Sequence, residues 1–428
     1  MAGPPNALAV GPPRKLAMTQ KHEDSIETPY GWVIMGASLL IITMAVASNY
    51  LVVVGLKPMA DAMDWPRWVT SSAYSVIALG SGTGGILIGL YADKRGIWLP
   101  VMLAGFSIAL GTTLVSRVEH PLTMLALCFV FIGVFGNGAV FSPLIANTTR
   151  WFDRRRGIAV AIVMSGQNLA GAVWAPTIRY GIETYGWRET WALYGIVAGV
   201  CVPPLALLLR RRAPQIKAGV TPPPEKHAIE TRWPPLVAQG LLCLAIIGCC
   251  VAMAMPLVHI VAYCGDLGFG IDEGAQMLSL LLACGFFSRM LFGWLSDRIG
   301  GLKTIFLGAG LQALALTLFA FVDTLAGLYL ISALFGLVFG GIVPSYALAT
   351  RQLFPARQAS ARIGVIFMAG YIGMASGGLL GGVIFDLTLD YRVAFAVGVA
   401  FNLMNLLCLS LILGNRKTAP GLARQPAE

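Results

Sequence analysis

Twelve separate apolar stretches of about twenty residues run through the 428-residue chain, near 31–56, 69–91, 99–116, 122–146, 157–179, 190–209, 235–264, 274–295, 304–322, 326–349, 362–385 and 392–413. A hydrocarbon layer about 30 Å thick is crossed by roughly 20 residues of helix. Lipid offers the backbone no hydrogen-bond partner, so a spanning segment must be a helix or part of a closed barrel. Barrel strands would be half this length and would alternate in polarity, and these stretches do neither. Composition agrees, at 57% hydrophobic and 12% charged, where a soluble chain carries about 25% charged residues. The sequence predicts an all-α membrane protein with twelve transmembrane helices.

The net charge of +10 is a matter of topology, not of nucleic-acid binding. Alternate loops fall on opposite sides of the bilayer. The tails and the loops near 92–98, 147–156, 210–234, 296–303 and 350–362 hold 23 of the 30 Lys and Arg. The other side holds Lys57, Arg67, Arg117, Arg179, Arg188 and Arg392, and Arg289 is left inside a helix. The positive-inside rule puts the richer set and both termini in the cytoplasm, with the chain in the cytoplasmic membrane. The first 28 residues lack the pattern of a signal peptide. The eight cysteines all fall in apolar runs without metal-site spacing, so no metal and no cofactor is expected.

The stretch Arg210–Pro235 is charged and Pro-rich and reads as a linker. Across it the sequence repeats with an offset of 204 residues. "GLYADKRG" from Gly89 returns as "GWLSDRIG" from Gly293, and "VFGNG" from Val134 as "VFGGI" from Val338. The same offset sets Trp187–Arg188 on Tyr391–Arg392 and Trp191 on Phe395. The helices therefore form two parallel six-helix repeats, the arrangement of a transporter whose halves rock about a site near the midplane. The expected divisions are a cytoplasmic tail over 1–30, bundles over 31–209 and 235–413, a linker over 210–234 and a second tail over 414–428.

That repeated loop resembles the signature of the major facilitator superfamily, found between helices 2 and 3 and between 8 and 9. Asp93 and Asp297 match its acid, and Lys94, Arg95 and Arg298 its bases; Ile97–Trp98 depart from its usual basic pair. "TPYGWVI" from Thr28, "RWFDRRRGIAVAIVMSG" from Arg150 and "PLVHIVAYCGDLG" from Pro256 are similar to stretches of the monocarboxylate porters and the related oxalate/formate exchangers. The resemblance implies small carboxylates bound by a helix-8 arginine, here Arg289. The animal porters carry a lysine in helix 1, where Asn49 and Tyr50 stand, and an acid one turn before the arginine, where Gly285 stands. The exchangers carry a second cation in helix 11, and no basic residue occurs between Arg362 and Arg392.

Arg289 is the one charge between Glu273 and Asp297. Eight residues of helix put it roughly 12 Å from the loop, near mid-membrane. An arginine there costs about 3 kcal/mol on insertion scales, which a wet cavity and an anion would offset. A planar fork that stays charged suits a carboxylate. The alternatives are hydrogen bonding to helix carbonyls or snorkelling to the surface. Its repeat counterpart is Gly85, so the scaffold itself does not demand a cation. His259 and Asp266, nearly two turns apart on helix 7, replace Gly55 and Ala62 of the first repeat and are candidates for proton coupling. A buried histidine and a solvated helix-end acid are the plain alternatives.

Asn137, Tyr50, Tyr346 and Tyr371, with Asn49 and Ser345, are candidate substrate contacts or ordinary interhelical hydrogen bonders. Asp93, Arg154, Asp297 and Arg298, with Arg351, are candidates for a cytoplasmic gate. Glycines at 80–89 and at 373, 377 and 381 mark either a sliding seam between the halves or static packing. "GSGTGG" lies inside a helix and is no phosphate cradle, and no catalytic constellation appears, so neither an enzyme nor an ATP-driven pump is expected. The sequence predicts a monomeric secondary transporter for a small carboxylate with proton symport. Exchange, or efflux of amphipathic compounds, is the alternative.

Overall fold

The computed structural model describes residues 27–152, 155–211, 229, 231–354 and 356–416; the side chains at 93, 156, 297 and 356–361 lie outside that description. Among the described residues, twelve helices are long and apolar enough to cross a membrane: α1 Pro29–Met63, α2 Arg67–Ala92, α3 Trp98–Val115, α4 Pro121–Thr148, α5 Ile158–Tyr185, α6 Trp187–Leu208, α7 Pro235–Asp266, α8 Ile271–Ser296, α9 Gly301–Phe319, α10 Leu325–Leu353, α11 Arg362–Thr388 and α12 Tyr391–Gly414. The fold class is all-α, as expected.

Local chemistry sets the helix ends. α1, α4 and α7 begin with proline in the first turn, where its missing N–H costs nothing. The two copies of the repeated loop end alike. Gly96 and Gly300 adopt φ of +96° and +86°, a region open to glycine and strained for other residues. Each donates its N–H back four residues, to Ala92 and Ser296. The face carrying these loops is called here the terminal face.

α4 and α10 occupy equivalent places in the repeat, and both are irregular. α4 passes through a π-helical segment at Cys128–Asn137. α10 breaks at Gly340–Gly341, between Leu325–Phe339 and Ile342–Leu353. Both irregular turns press on backbone. A Cβ at Gly80 would fall 2.6 Å from the Phe129 carbonyl oxygen, and one at Gly84 would collide with the Val134 carbonyl. Gly340 likewise leaves no room beside the backbone of Gly285.

The first six helices meet the last six along two seams related by the repeat, α2 on α11 and α5 on α8. The glycine stripe of α11 is not in a seam. Gly373 and Gly377 face the α7 backbone at Ile247 and Val251, and Gly381 faces the His259 ring. Gly80 and Gly84 face α4. Of the two readings the sequence allowed, static packing describes these positions. The α2–α11 seam is made instead by Gly82 against Met368 and Tyr371, Gly378 against Tyr74, and the Ser75 hydroxyl donating to the Ala375 carbonyl at 2.6 Å.

Backbone cannot step aside as a side chain can, and overpacking costs about 1–3 kcal/mol. Gly84→Ala is therefore expected to lower the apparent Tm in detergent. Gly89→Ala, which meets nothing within 4 Å, should leave it unchanged. Equal Tm values for the two variants would refute this account.

Candidate functional site

A cavity of about 550 Å³ lies between the two seams. Its walls run from Val53 and Leu257 to Thr149, Ile363 and Gly364. Thr149 caps the terminal-face end of α4, and Ile363 lies at the start of α11 there, so the cavity opens toward the terminal face. The opposite face is closed by contacts between the two sets of helices. Arg67 at the start of α2 pairs with Asp266 at the end of α7, and Lys57 adds a second cation to Asp266 at 2.9 Å. Asp386 on α11 accepts the backbone N–H of Arg67 at 3.1 Å and of Trp68 at 2.8 Å, neutralising the positive end of α2. At the other seam, Arg179 on α5 pairs with Asp272 on α8.

Arg289 lines the cavity and is the one charged side chain among its described lining residues. It is 7% exposed. Its surroundings follow from a proline. The Gly340 carbonyl should accept the N–H of residue 344, but Pro344 has none, so the break in α10 leaves that oxygen without a helical partner. Arg289 Nε donates to it at 3.1 Å. Arg289 Nη1 donates to the Met164 carbonyl at 2.5 Å, and Nη2 to Asn168 Oδ1 at 3.4 Å, both on α5. Gly285, one turn before Arg289, makes this possible. A Cβ there would fall 2.7 Å from Asn168 Nδ2 and 2.9 Å from the Phe339 ring. The missing side chain at Gly285 admits an amide from the other half.

A guanidinium has five N–H donors, and three are engaged. One N–H remains on each of Nη1 and Nη2, in a cavity wall, beside no described carboxylate. The alternative of hydrogen bonding to carbonyls is thus realised in part, and two donors are still spare.

Asp266 and His259 do not join Arg289. Asp266 is at the far face with Arg67 and Lys57. His259 is fully buried and absent from the lining; its Nε2 lies 2.9 Å from the Gly378 carbonyl oxygen. Its ring packs on Tyr391 at 5.1 Å between centroids, and Tyr391 Oη accepts from Arg67 Nη1 at 3.3 Å. The two helix-7 candidates therefore share one cluster through Tyr391 and Arg67.

Tyr50 and Tyr371 line the cavity with Asn49. Asn137, at the end of the π-helical turn, is buried behind them and donates to Asn49 Oδ1 at 2.9 Å and Ser48 Oγ at 3.3 Å. Tyr346 is buried in the last six helices, donating to Asn405 Oδ1 at 2.9 Å, and Ser345 lies 3.0 Å from Ser296 Oγ. Of the proposed gate, Arg298 is exposed with its guanidinium 4.2 Å from the Trp294 ring centre. Arg154 and the side chains of Asp93 and Asp297 lie outside the described residues. Sequence reading missed Asn168, although "QN" at 167–168 is a polar pair inside an apolar run. It also counted Lys57, Arg67 and Arg179 only as topology charges.

The two repeats, the two seams and the cavity between them are those of a known transporter class. The sequence matches the Major Facilitator Superfamily over residues 37–375 and again over 241–428. The chain belongs to this superfamily. It is a multi-pass membrane transporter of that type, and its resemblance to monocarboxylate transporters holds. Monocarboxylate transporter 13 of Bos taurus is 27% identical over 342 residues, covering 78% of this chain and 77% of that one. The Rattus norvegicus protein of the same name is 25% identical over 350 residues, covering 78% and 76%. Among solved structures, a bacterial homolog of the human lysosomal transporter Spinster, inward-facing and unoccupied, superposes with a TM-score of 0.69 at 15% identity, covering 92% of this chain and 100% of that one.

Removing one partner of a buried hydrogen bond costs about 1–3 kcal/mol. Arg289→Met is expected to lower Tm by orphaning the Gly340 carbonyl. Adding Pro344→Ala should recover part of that loss, because the substitution restores a backbone N–H that can donate to the oxygen. A double-mutant cycle on detergent Tm with a coupling of about 1 kcal/mol would support this, and additivity would refute it.

Proposed function

We propose that this superfamily member carries a small organic anion, a monocarboxylate, across the cytoplasmic membrane by alternating access with proton symport. The observation that carries the reading is Arg289: a buried cation in the wall of the cavity, with two N–H groups unspent and no described carboxylate beside it. The two spare donors sit on the paired terminal nitrogens of one planar fork, and a carboxylate offers two oxygens to such a fork. The relatives' names support the same substrate class.

In this reading both termini are cytoplasmic and the cavity faces the cytoplasm. Two bundles, 31–209 and 235–413, joined by the linker 210–234, rock about the cavity, with tails at 1–30 and 414–428. The pairs Arg67–Asp266, Lys57–Asp266 and Arg179–Asp272 hold the outer face shut. Opening that face would part α2 from α7 and leave Asp266 free to take a proton, with His259 beside Tyr391 in the same cluster. Asp93, Arg154, Asp297 and Arg298 would play the corresponding part at the cytoplasmic face when the cavity closes there.

The apolar walls favour a second reading, export of an amphipathic compound on the same scaffold. The two readings separate on Arg289. Uptake of radiolabelled lactate and phenylacetate into proteoliposomes is expected to rise with an inward proton gradient. It should fall about ten- to hundredfold in Arg289→Ala, the worth of a hydrogen-bonded charge, and Asp266→Asn should lose the response to the gradient. Wild-type uptake by Arg289→Ala would overturn the carboxylate reading. Gradient-independent exchange that survives in Asp266→Asn would replace symport by exchange.

A further inference from the structure

The cavity's two walls differ in kind, and the difference specifies the body of the ligand as well as its charge. The repeat relates the α5–α8 seam to the α2–α11 seam, so the two lie on opposite sides of the axis through the cavity. The first wall supplies Arg289. The second presents Tyr74, Tyr371, Phe367 and Met368, and Phe141 and Met253 add to the apolar lining. At Gly85, the counterpart of Arg289, there is no side chain, and a Cβ there would meet Ser142 Oγ, at 3.2 Å, as its nearest neighbour. The cavity's volume of about 550 Å³ falls within the roughly 300–1,000 Å³ range of sites for drug-sized ligands. An acid of two or three carbons would leave most of the apolar wall in contact with water.

The lining also says what the body cannot carry. Its described residues include no Asp or Glu, so an ammonium group on the ligand would be buried without a counter-charge, at a large cost. They include one cation, so a second carboxylate would be unmatched. We propose, on the basis that Arg289 anchors the anion, that the preferred ligand is a monoanion with an uncharged aromatic or similarly bulky apolar body. Its carboxylate sits on Arg289 and its ring lies against the Tyr74–Tyr371 wall. Zwitterionic amino acids and dicarboxylates are excluded by charge, and short-chain acids bind weakly for want of contact.

The test is competition against uptake of radiolabelled phenylacetate by the full chain in proteoliposomes, with Kd checked by calorimetry in detergent. Phenylacetate is expected to bind at least about tenfold more tightly than acetate, from the apolar area it buries. Phenylalanine, phenylmalonate and neutral phenylacetamide should each compete at least about tenfold less well, since each leaves a charge or a donor unmatched. Acetate or phenylalanine binding as tightly as phenylacetate, with all binding lost in Arg289→Gln, would overturn the proposal while leaving the anchor standing. Phenylacetamide binding as tightly as phenylacetate, unaffected by Arg289→Gln, would remove the anchor and the proposal together.

Discussion

In a hydrocarbon solvent no backbone oxygen can be left to water, and this constraint organises the centre of the molecule. Pro344 deprives Gly340 of its helical donor, and another part of the protein supplies the remedy. Arg289 Nε provides it at 3.1 Å. The break in α10, the close approach of α8 at Gly285 and the buried guanidinium are thus one arrangement, in which each part would be costly alone. The charge is tolerated because it completes the backbone hydrogen bonding of its neighbours.

A symmetric scaffold carries an asymmetric site. Offset repeats produce equivalent seams, matching loop glycines at Gly96 and Gly300 and irregular turns in both α4 and α10. The chemistry appears where the repeats differ. Arg289 stands where the first repeat has Gly85, Asp266 replaces Ala62, and His259 replaces Gly55. The seam ends away from the terminal face are also closed differently. One uses a carboxylate on the start of α2, from Asp386, and the other an arginine, Arg179, on the acid at the start of α8.

The fold was legible because lipid imposes one length and one hydrogen-bonding pattern on every span, and because the offset of 204 residues recurs along the chain. That Arg289 falls inside a spanning helix was legible for the same reason. Its partners were not. Which carbonyl loses its donor can be read from Pro344, but that α8 carries a guanidinium to that carbonyl depends on the crossing of two helices at Gly285 and Gly340. The link between His259 and Asp266 ran through Tyr391 and Arg67, residues far apart in sequence. Glycine spacing marked close approach correctly but not against which helix, because a small-residue stripe fits a backbone in either half.

The guanidinium holds α5 of one half through the Met164 carbonyl and Asn168, and α10 of its own half through Gly340. It is therefore a brace, and under the proposed function a receptor as well. A guest with two acceptor oxygens can be received on the idle hydrogens with the brace intact. A guest that asks for more must unclasp one half from the other. Under the proposed function, the number of acceptors a cargo presents thereby becomes a mechanical quantity, deciding whether loading leaves the two halves tied or lets them part.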